Sequence, residues 1–309
     1  MIGESPAPMI GDSGASMIAD FDASIIGDFV ASWPLFHNTY IAGWLIALLL
    51  PLVGVVVVAR NQIFIGAAVS QASTLGIAVG MVLGDRLGGG ELAWLRTDAF
   101  LSVTAVVCSL VAALLTAGAG EDGAESHEAL TGWVFLFSAS VAILVVARSP
   151  HGLEEIHRLV ASSIIGATRA DLWTFGVLAA LTVTAVVALH RPLLLFAMDP
   201  AMAAAVGMPV RRWAVVTSLW LGLVTGLSIR ASGILYSFGC LVLPALLARS
   251  LCREVRPMFA VAPAAALLTA AAGFVLANHY DFPPGQMTVA LLCALLALGW
   301  GVDRVRRAA

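Results

Sequence analysis

The chain has 309 residues, of which 60% are hydrophobic and 11% are charged, and its formal net charge is -3. Soluble domains carry about 25% charged residues, so the composition excludes a soluble domain and indicates an integral membrane protein. All sixteen basic residues are arginine. Because a phosphate-binding loop of the G-x-x-x-x-G-K-[ST] type needs its lysine, the chain does not hydrolyse ATP by that route.

The N-terminal segment, residues 1–38, differs from the rest because it holds five acidic residues and no basic one. It lacks the basic start of a secretory signal. We interpret it as an acidic tail in which residues 17–36 favour an amphipathic helix on the membrane surface. Residues 39–309 then form the transmembrane domain.

Nine apolar segments follow, each near the length that a bilayer requires. They cover residues 39–59, 63–84, 98–117, 129–147, 171–189, 213–229, 233–250, 258–277 and 286–302. The seventh follows the sixth with almost no loop, so we expect one of the two to be broken or tilted. The predicted fold is therefore an all-α integral membrane protein with eight or nine transmembrane helices.

Arginine placement predicts the orientation, because cytoplasmic loops carry an excess of basic residues. With nine spans and the N-terminus outside, ten of the sixteen arginines lie on the cytoplasmic side, whereas the reverse orientation leaves six there. The acidic N-terminus also favours the outside.

The second span is polar in its middle, where it carries Ser70, Gln71 and Thr74. Polar groups in lipid are costly unless they face a partner or water, so we expect an interior helix. Ala67, Ser70, Gln71 and Thr74 share one helical face, which is the candidate translocation path. Three glycines at four-residue spacing allow another helix to approach closely; they are Gly76, Gly80 and Gly84.

A short helix lies between the fifth and sixth spans. Asp199 is its predicted N-cap, Pro200 takes the first helical position and Gly207 ends it. One interpretation is a connector on the bilayer surface; the other is a rigid element that docks into a partner. The caps alone do not separate the two.

Other residues have both a functional and an ordinary interpretation. His151, Glu154 and His157 form a candidate metal site, or a solvated loop. Cys240 offers a soft ligand on the path, or a packed thiol. At depth Arg230 would pair with a carboxylate; at the interface, which we favour, it would merely extend towards water.

Four stretches, in register over residues 36–305, match the motifs of one family. The first contains Arg60, Gly66, Ser70, Ala72 and Gly76, and the second contains Asp199, Pro200, Ala203, Gly207 and Met208. The third is Ser-Gly-Ile-Leu-Tyr-Ser-Phe-Gly-Cys-Leu-Val-Leu-Pro-Ala from Ser232, and the fourth is Asp-Phe-Pro-Pro-Gly from Asp281. Together they resemble the permeases of the ABC importers for zinc, manganese or iron, the ABC-3 type membrane subunit.

The resemblance implies a permease of the type II importer kind, multi-pass in the bacterial cytoplasmic membrane. It implies a homodimer or paired permease, a separate ABC ATPase that uses the ATP, and a periplasmic or extracellular metal-binding protein. No cofactor is expected on this chain, no nucleic-acid partner and no enzymatic activity. The segment from Asp199 to Met208 would be the coupling helix, which transmits ATPase motion to the spans.

The chain departs from the family motif at three positions of the second span. Ala67 and Gln71 stand where the family has an acidic residue and a histidine, and Leu75 stands where it has a proline. A carboxylate and an imidazole suit zinc, manganese and iron, whereas alanine supplies no ligand. The architecture carries over, but the transient metal site does not carry over at these positions.

Two rival functions belong to other classes. A secondary transporter driven by an ion gradient needs acidic or histidine residues at mid-membrane, and no predicted span contains a carboxylate beyond its first residue, where Asp98 and Asp171 lie. An intramembrane enzyme needs a Ser/His or paired-Asp site within its spans, and Ser70 has no histidine at bonding spacing in its own helix.

Overall fold

A computed structural model of the chain describes residues 12–88, 90–117, 127–147 and 166–308. All regular secondary structure in these ranges is helical, and a 3-10 helix, Gly90–Arg96, joins the second helix to the third. The α-helices are α1 (Asp12–Ala59), α2 (Ile63–Leu87), α3 (Asp98–Ala117), α4 (His127–Val146), α5 (Arg169–Ala188), α6 (His190–Met198), α7 (Pro200–Ala205), α8 (Val210–Leu251), α9 (Val255–His279) and α10 (Pro284–Ala308).

Eight of the described helices are long and apolar enough to cross a membrane. The predicted spans match them, although 129–147 and 171–189 each run one residue past the end of the helix, and the predicted sixth and seventh spans both fall within α8. Helix α1 runs without interruption from Asp12 through the first span. The separate surface position of residues 17–36 stays a prediction.

The 42 residues of α8 form two antiparallel arms, residues 210–232 and 234–251. At the start of the first arm the Trp213 ring packs on Phe196, whose ring lies 4.3 Å from the Arg60 guanidinium. At the end of the second arm Arg249 donates to the carbonyl of Val58 at 3.1 Å. Both ends of α8 therefore meet the same end of α1, whereas a straight helix of this length would span about 63 Å.

Gly233 makes the reversal, with φ 81° and ψ 170°. This region of backbone conformation is open essentially to glycine alone. Serine hydroxyls satisfy polar groups around the turn: Ser232 donates to the carbonyl of Ser228 at 2.9 Å, and its oxygen lies 2.9 Å from that of Ser237. The sixth and seventh spans thus join without a loop.

With two arms in α8, the described helices cross the membrane nine times. The bundle end that carries α7 holds ten arginines, and the opposite end holds four in the described part of the chain. The ten are Arg60, Arg191, Arg211, Arg212, Arg249, Arg253, Arg256, Arg304, Arg306 and Arg307.

Helix α1 is the most buried of the spans, because α5, α8 and α9 all pack on it. Its Ile46, Leu49 and Leu50 are fully buried. Tyr236 of the second arm donates its hydroxyl to the carbonyl of Gly43 at 2.9 Å. Large apolar side chains of α3, α4 and α5, among them Leu136 and Trp173, point outward, as lipid-facing residues do.

The three glycines of α2 lie where neighbouring backbone approaches closely. A Cβ on Gly76 would overlap the carbonyl of Thr104, and one on Gly80 would lie 2.6 Å from the Thr104 hydroxyl. A Cβ on Gly84 would lie 2.8 Å from the carbonyl of Leu95. Without these side chains α2 and α3 pack at small separation, as small residues allow in membranes.

Arg230 ties together the helix ends next to the reversal. Its guanidinium donates to Asp171, in the first turn of α5, and lies 4.0 Å from Asp98, the first residue of α3. Asp171 also caps α5, since it accepts from the amide of Thr168 at 2.9 Å. Arg230 is at helix ends, but the expectation that it merely extends towards water is wrong, because a carboxylate pairs with it.

The Gly233 turn is tested by Gly233→Ala. A side chain in this conformation costs about 1–3 kcal/mol, so we expect a lower free energy of unfolding and a lower yield of folded protein. Gly176→Ala is the control, because Gly176 lies within α5 with no atom within 4 Å of its added Cβ. Equal stability of the two variants in detergent would contradict the assigned turn.

The ion pair between Arg230 and Asp171 is tested by Asp171→Asn, with Asp98→Asn as the comparison. Asp171 is 12% exposed and directly bonded, whereas Asp98 is 80% exposed. Loss of the charged hydrogen bond in Asp171→Asn should lower the free energy of unfolding by about 1–3 kcal/mol. Loss of the exposed carboxylate in Asp98→Asn should change it by less than about 0.5 kcal/mol. Thermal unfolding of each variant, alone and combined with Arg230→Gln, measures the coupling; additive effects at Asp171 would refute the pair.

Candidate functional site

The segment from Asp199 to Met208 is a single capped turn of helix. The Asp199 carboxylate accepts from the amide of Met202 at 2.8 Å, and Pro200 occupies the first helical position. Gly207 has φ +83°, and the amide of Met208 donates to the carbonyl of Ala203 at 3.0 Å. Both ends are thus fixed by local bonds, which makes the segment rigid.

This segment and the last residue of α6 present apolar side chains at the bundle end rich in arginine. Met198, Met202 and Val206, here called the apolar surface, are 64%, 52% and 64% exposed. Ala203 is fully buried and anchors the turn to the rest of the chain. Exposed apolar groups clustered outside the spans are typical of an interaction surface.

The predicted path residues of α2 do not share one accessible face. Ser70 and Thr74 are buried, and their hydroxyls donate to the carbonyls of Gly66 at 2.7 Å and Ser70 at 3.0 Å within the same helix. Gln71 is half-buried. Of the three polar residues assigned to the path on α2, Gln71 alone has an accessible side chain.

The accessible stripe of α2 consists of Ala67, Gln71, Leu75 and Val79, each half-buried and four residues apart. It includes all three positions at which the chain departs from the family motif. A Cβ on the neighbouring Gly66 would lie 2.7 Å from Leu241 of the second arm. Leu75 itself packs towards Ala142 and Val146 of α4, so the stripe lies between α4 and the second arm of α8 and offers one amide group on an otherwise apolar surface.

Buried hydroxyls collect where α2 meets the two arms. We call Ser73, Thr225, Ser228, Ser232 and Ser237 the hydroxyl cluster; all five are at most 1% exposed. Ser73 lies 3.4 Å from the carbonyl of Gly226. Within the described residues, the hydroxyls of Thr225 and Ser228 have no hydrogen-bond partner, which is costly in a bundle core. The spacing of Thr225 and Ser228 in the predicted sixth span was a signal that sequence reasoning did not use.

Metal-type ligands are sparse in the described part of the chain, which contains no group of three or more His, Cys, Asp or Glu residues able to hold an ion. His151, Glu154 and His157 lie outside the described residues. Cys240 is fully buried one turn from Tyr236 in the second arm. A transient path contact through Cys240 stays a prediction.

The opposite end of the bundle carries a different surface. His279 lies 2.8 Å from the carboxylate of Asp28, which fastens the start of the first span to the end of α9. Trp94, Tyr280 and Phe282 are 55%, 48% and 55% exposed there. Aromatic side chains of this kind suit either a protein partner or the membrane–water interface.

Comparisons with known proteins agree on one class. Residues 32–301 match the model of a family described as the ABC 3 transport family. The manganese transport system membrane protein MntC of Halalkalibacterium halodurans is 22% identical, over 87% of this chain and 87% of its own. The high-affinity zinc uptake system membrane protein ZnuB of Haemophilus influenzae is 20% identical, over 84% of this chain and 94% of its own.

Among solved structures, the fold is similar to that of PsaBC from Streptococcus pneumoniae in complex with Fab. The TM-score is 0.73 at 17% identity, and the match covers 89% of this chain and 95% of that chain. At this identity the likeness concerns the fold, and it extends over nearly the whole membrane bundle.

Proposed function

Because the chain belongs to the ABC 3 transport family, we propose that it imports a divalent metal ion as the membrane half of a complex driven by a separate ATPase. The observation that carries the ATPase partnership is the rigid capped turn with its apolar surface, Met198, Met202 and Val206. An ATPase that drives transport needs a rigid contact of this kind with the membrane subunit in order to transmit its motion. The relatives named for manganese and zinc transport support the class of cargo.

The orientation follows from the arginines. Ten lie at the end that carries α7, and the positive-inside rule places that end in the cytoplasm. The apolar surface then faces the compartment that holds ATP. The Trp94, Tyr280 and Phe282 surface faces outward, where a metal-binding protein would deliver its ion in the cytoplasmic membrane of a bacterium.

The cargo path is proposed to run between two copies of the chain, or a pair of related permeases, along the accessible stripe of α2. The stripe and the adjacent second arm expose Gln71, Phe238 and Leu235. An amide oxygen binds a divalent cation more weakly than a carboxylate or imidazole does. The ion would therefore cross with weak protein contacts, and selection among metals would rest on the delivering protein.

An ion-gradient-driven transporter is the alternative. Such proteins place ionisable residues at mid-membrane. In the described spans every carboxylate lies within two residues of a span end: Asp28, Asp85, Asp98, Glu128, Asp171 and Asp303. This distribution favours a permease that takes its energy from a partner.

The function is tested by metal uptake into cells and into vesicles. Cells that carry the chain with its ATPase should accumulate manganese or zinc above cells that lack the chain. Vesicles that contain the chain alone should accumulate none, with or without a proton or sodium gradient. Uptake by the chain alone, driven by a gradient, would establish the alternative.

Coupling is tested by Gly207→Val. A β-branched residue at φ +83° carries about 1–2 kcal/mol of backbone strain, yet no atom lies within 4 Å of the added Cβ. The variant should insert normally and lose most uptake, since the ratio of native to non-native turn falls about fivefold to thirtyfold in a segment that has to stay rigid to transmit motion. Gly132→Val, also in open space but within α4, should retain uptake. Normal uptake by Gly207→Val would refute the coupling role.

The cargo path is tested by supplying the missing ligands. The double variant A67D/Q71H places a carboxylate and an imidazole four residues apart on the accessible stripe. Its half-saturating concentration of zinc in uptake should fall about tenfold, the equivalent of ~1.4 kcal/mol of binding. The variant A67N/Q71N adds polar groups of similar size without those ligands and should behave as the parent chain. Equal zinc dependence in both variants would exclude the stripe from the path.

A further inference from the structure

A cleft of about 340 Å³ opens beside the arginine-rich end of the bundle. Its walls come from the last turns of α1 and α5, from α6 and from the start of the first arm of α8. They are almost wholly apolar, and include Leu52, Val56, Leu181, Ala185, Leu193 and Val216. The volume is at the lower end of the roughly 300–1,000 Å³ typical of ligand pockets.

The cleft opens sideways, towards the hydrocarbon region. Leu181 and Val216, on its two rims, are 52% and 61% exposed. Nearby Val187 on α5 is also exposed, as are lipid-facing residues of the other spans. Inside, the indole of Trp220 donates to the hydroxyl of Thr182 at 3.0 Å, so these two polar groups already have partners. An apolar chain is the occupant that such walls favour.

Arg60 closes the polar end of the cleft. Its guanidinium lies over the ring of Phe196, and no carboxylate of the described residues lies within ion-pair distance of it. Burial lowers the pKa of Arg60, because its charge has lost part of its water. A partly desolvated cation without a counter-charge favours an anion beside it.

We propose that this cleft is a binding site for an anionic phospholipid, with one acyl chain between α1, α5 and α8 and the head-group phosphate on Arg60. Basic pockets between transmembrane helices on the cytoplasmic side hold such head groups in other membrane proteins. Arg191, exposed on the adjoining start of α6, adds positive potential. The lipid bridges α1 to the segments that flank the apolar surface.

The site is tested by measuring which lipid stays bound to the purified chain. The chain is exchanged into detergent, titrated with phosphatidylglycerol or phosphatidylcholine, and analysed by native mass spectrometry. We expect one phosphatidylglycerol bound in preference to phosphatidylcholine. Arg60→Gln should weaken the phosphatidylglycerol complex about fivefold, the effect of one interfacial arginine. Arg60→Lys should retain most of the affinity, because it keeps the charge.

Matched variants separate this cleft from general surface charge. Arg212→Gln removes an exposed arginine of the same end and should leave the complex unchanged. Ala185→Trp fills the cleft and should abolish retention, whereas Ala188→Trp, one turn on and outside the lining, should not. The unfolding temperatures of all variants in phosphatidylcholine should match that of the parent chain, which shows that a lost complex does not reflect misfolding.

Three results would overturn the proposal. Equal retention of the two lipids would show that the charge of the head group does not contribute to binding. An equal loss in Arg212→Gln and Arg60→Gln would assign the effect to the whole surface. Crosslinking of two copies through Ala185→Cys, with no lipid retained, would show that the cleft is covered by a second chain.

Discussion

The reversal of the chain at Gly233 is the constraint on which the membrane architecture depends. The reversal lies at the bundle end where α3 and α5 begin, and it joins two spans without a loop. A single glycine at φ 81° and ψ 170° turns the chain while the helical bonding continues on either side. Arg230, three residues earlier, fastens this turn to α5 through Asp171. The nine passes, and the placement of both chain ends of α8 at one bundle end, follow from it.

Much of this fold was predictable because two of its determinants are local. Hydrocarbon thickness sets the length of an apolar run, and the predicted span 98–117 coincides with Asp98–Ala117. Capping is equally local: Asp199, Pro200 and Gly207 each fulfil, at the two ends of α7, the role that their positions indicate. The near absence of a loop between the sixth and seventh spans led us to expect that one of them is broken or tilted; the structure instead keeps both arms helical and reverses the chain between them at Gly233.

The accessible face of α2 was harder to predict, because a polar side chain in a membrane helix can form its hydrogen bond with the backbone of its own helix. Ser70 and Thr74 donate to carbonyls one turn back, so their polarity does not require a cavity. The same ambiguity affects Arg230, whose partner Asp171 is 59 residues away in the sequence. Such pairings depend on which helices become neighbours, and the periodicity of one helix does not contain that information.

The position of the first arm of α8 suggests how a push on α7 would reach the path. One end of this arm follows Pro209 and the capped turn, and its other end is held by Arg230 at the start of α5. Because the first arm is held at its Arg230 end and would be pushed at its Pro209 end, it would tilt along its length. Its middle carries Thr225 and Ser228, and the carbonyl of Gly226 faces Ser73 of α2. Because those two hydroxyls have no partner among the described residues, tilting would break none of their bonds; the bonds it would disturb there are those of Ser73 to the carbonyl of Gly226 and of Ser109 to the carbonyl of Gly222.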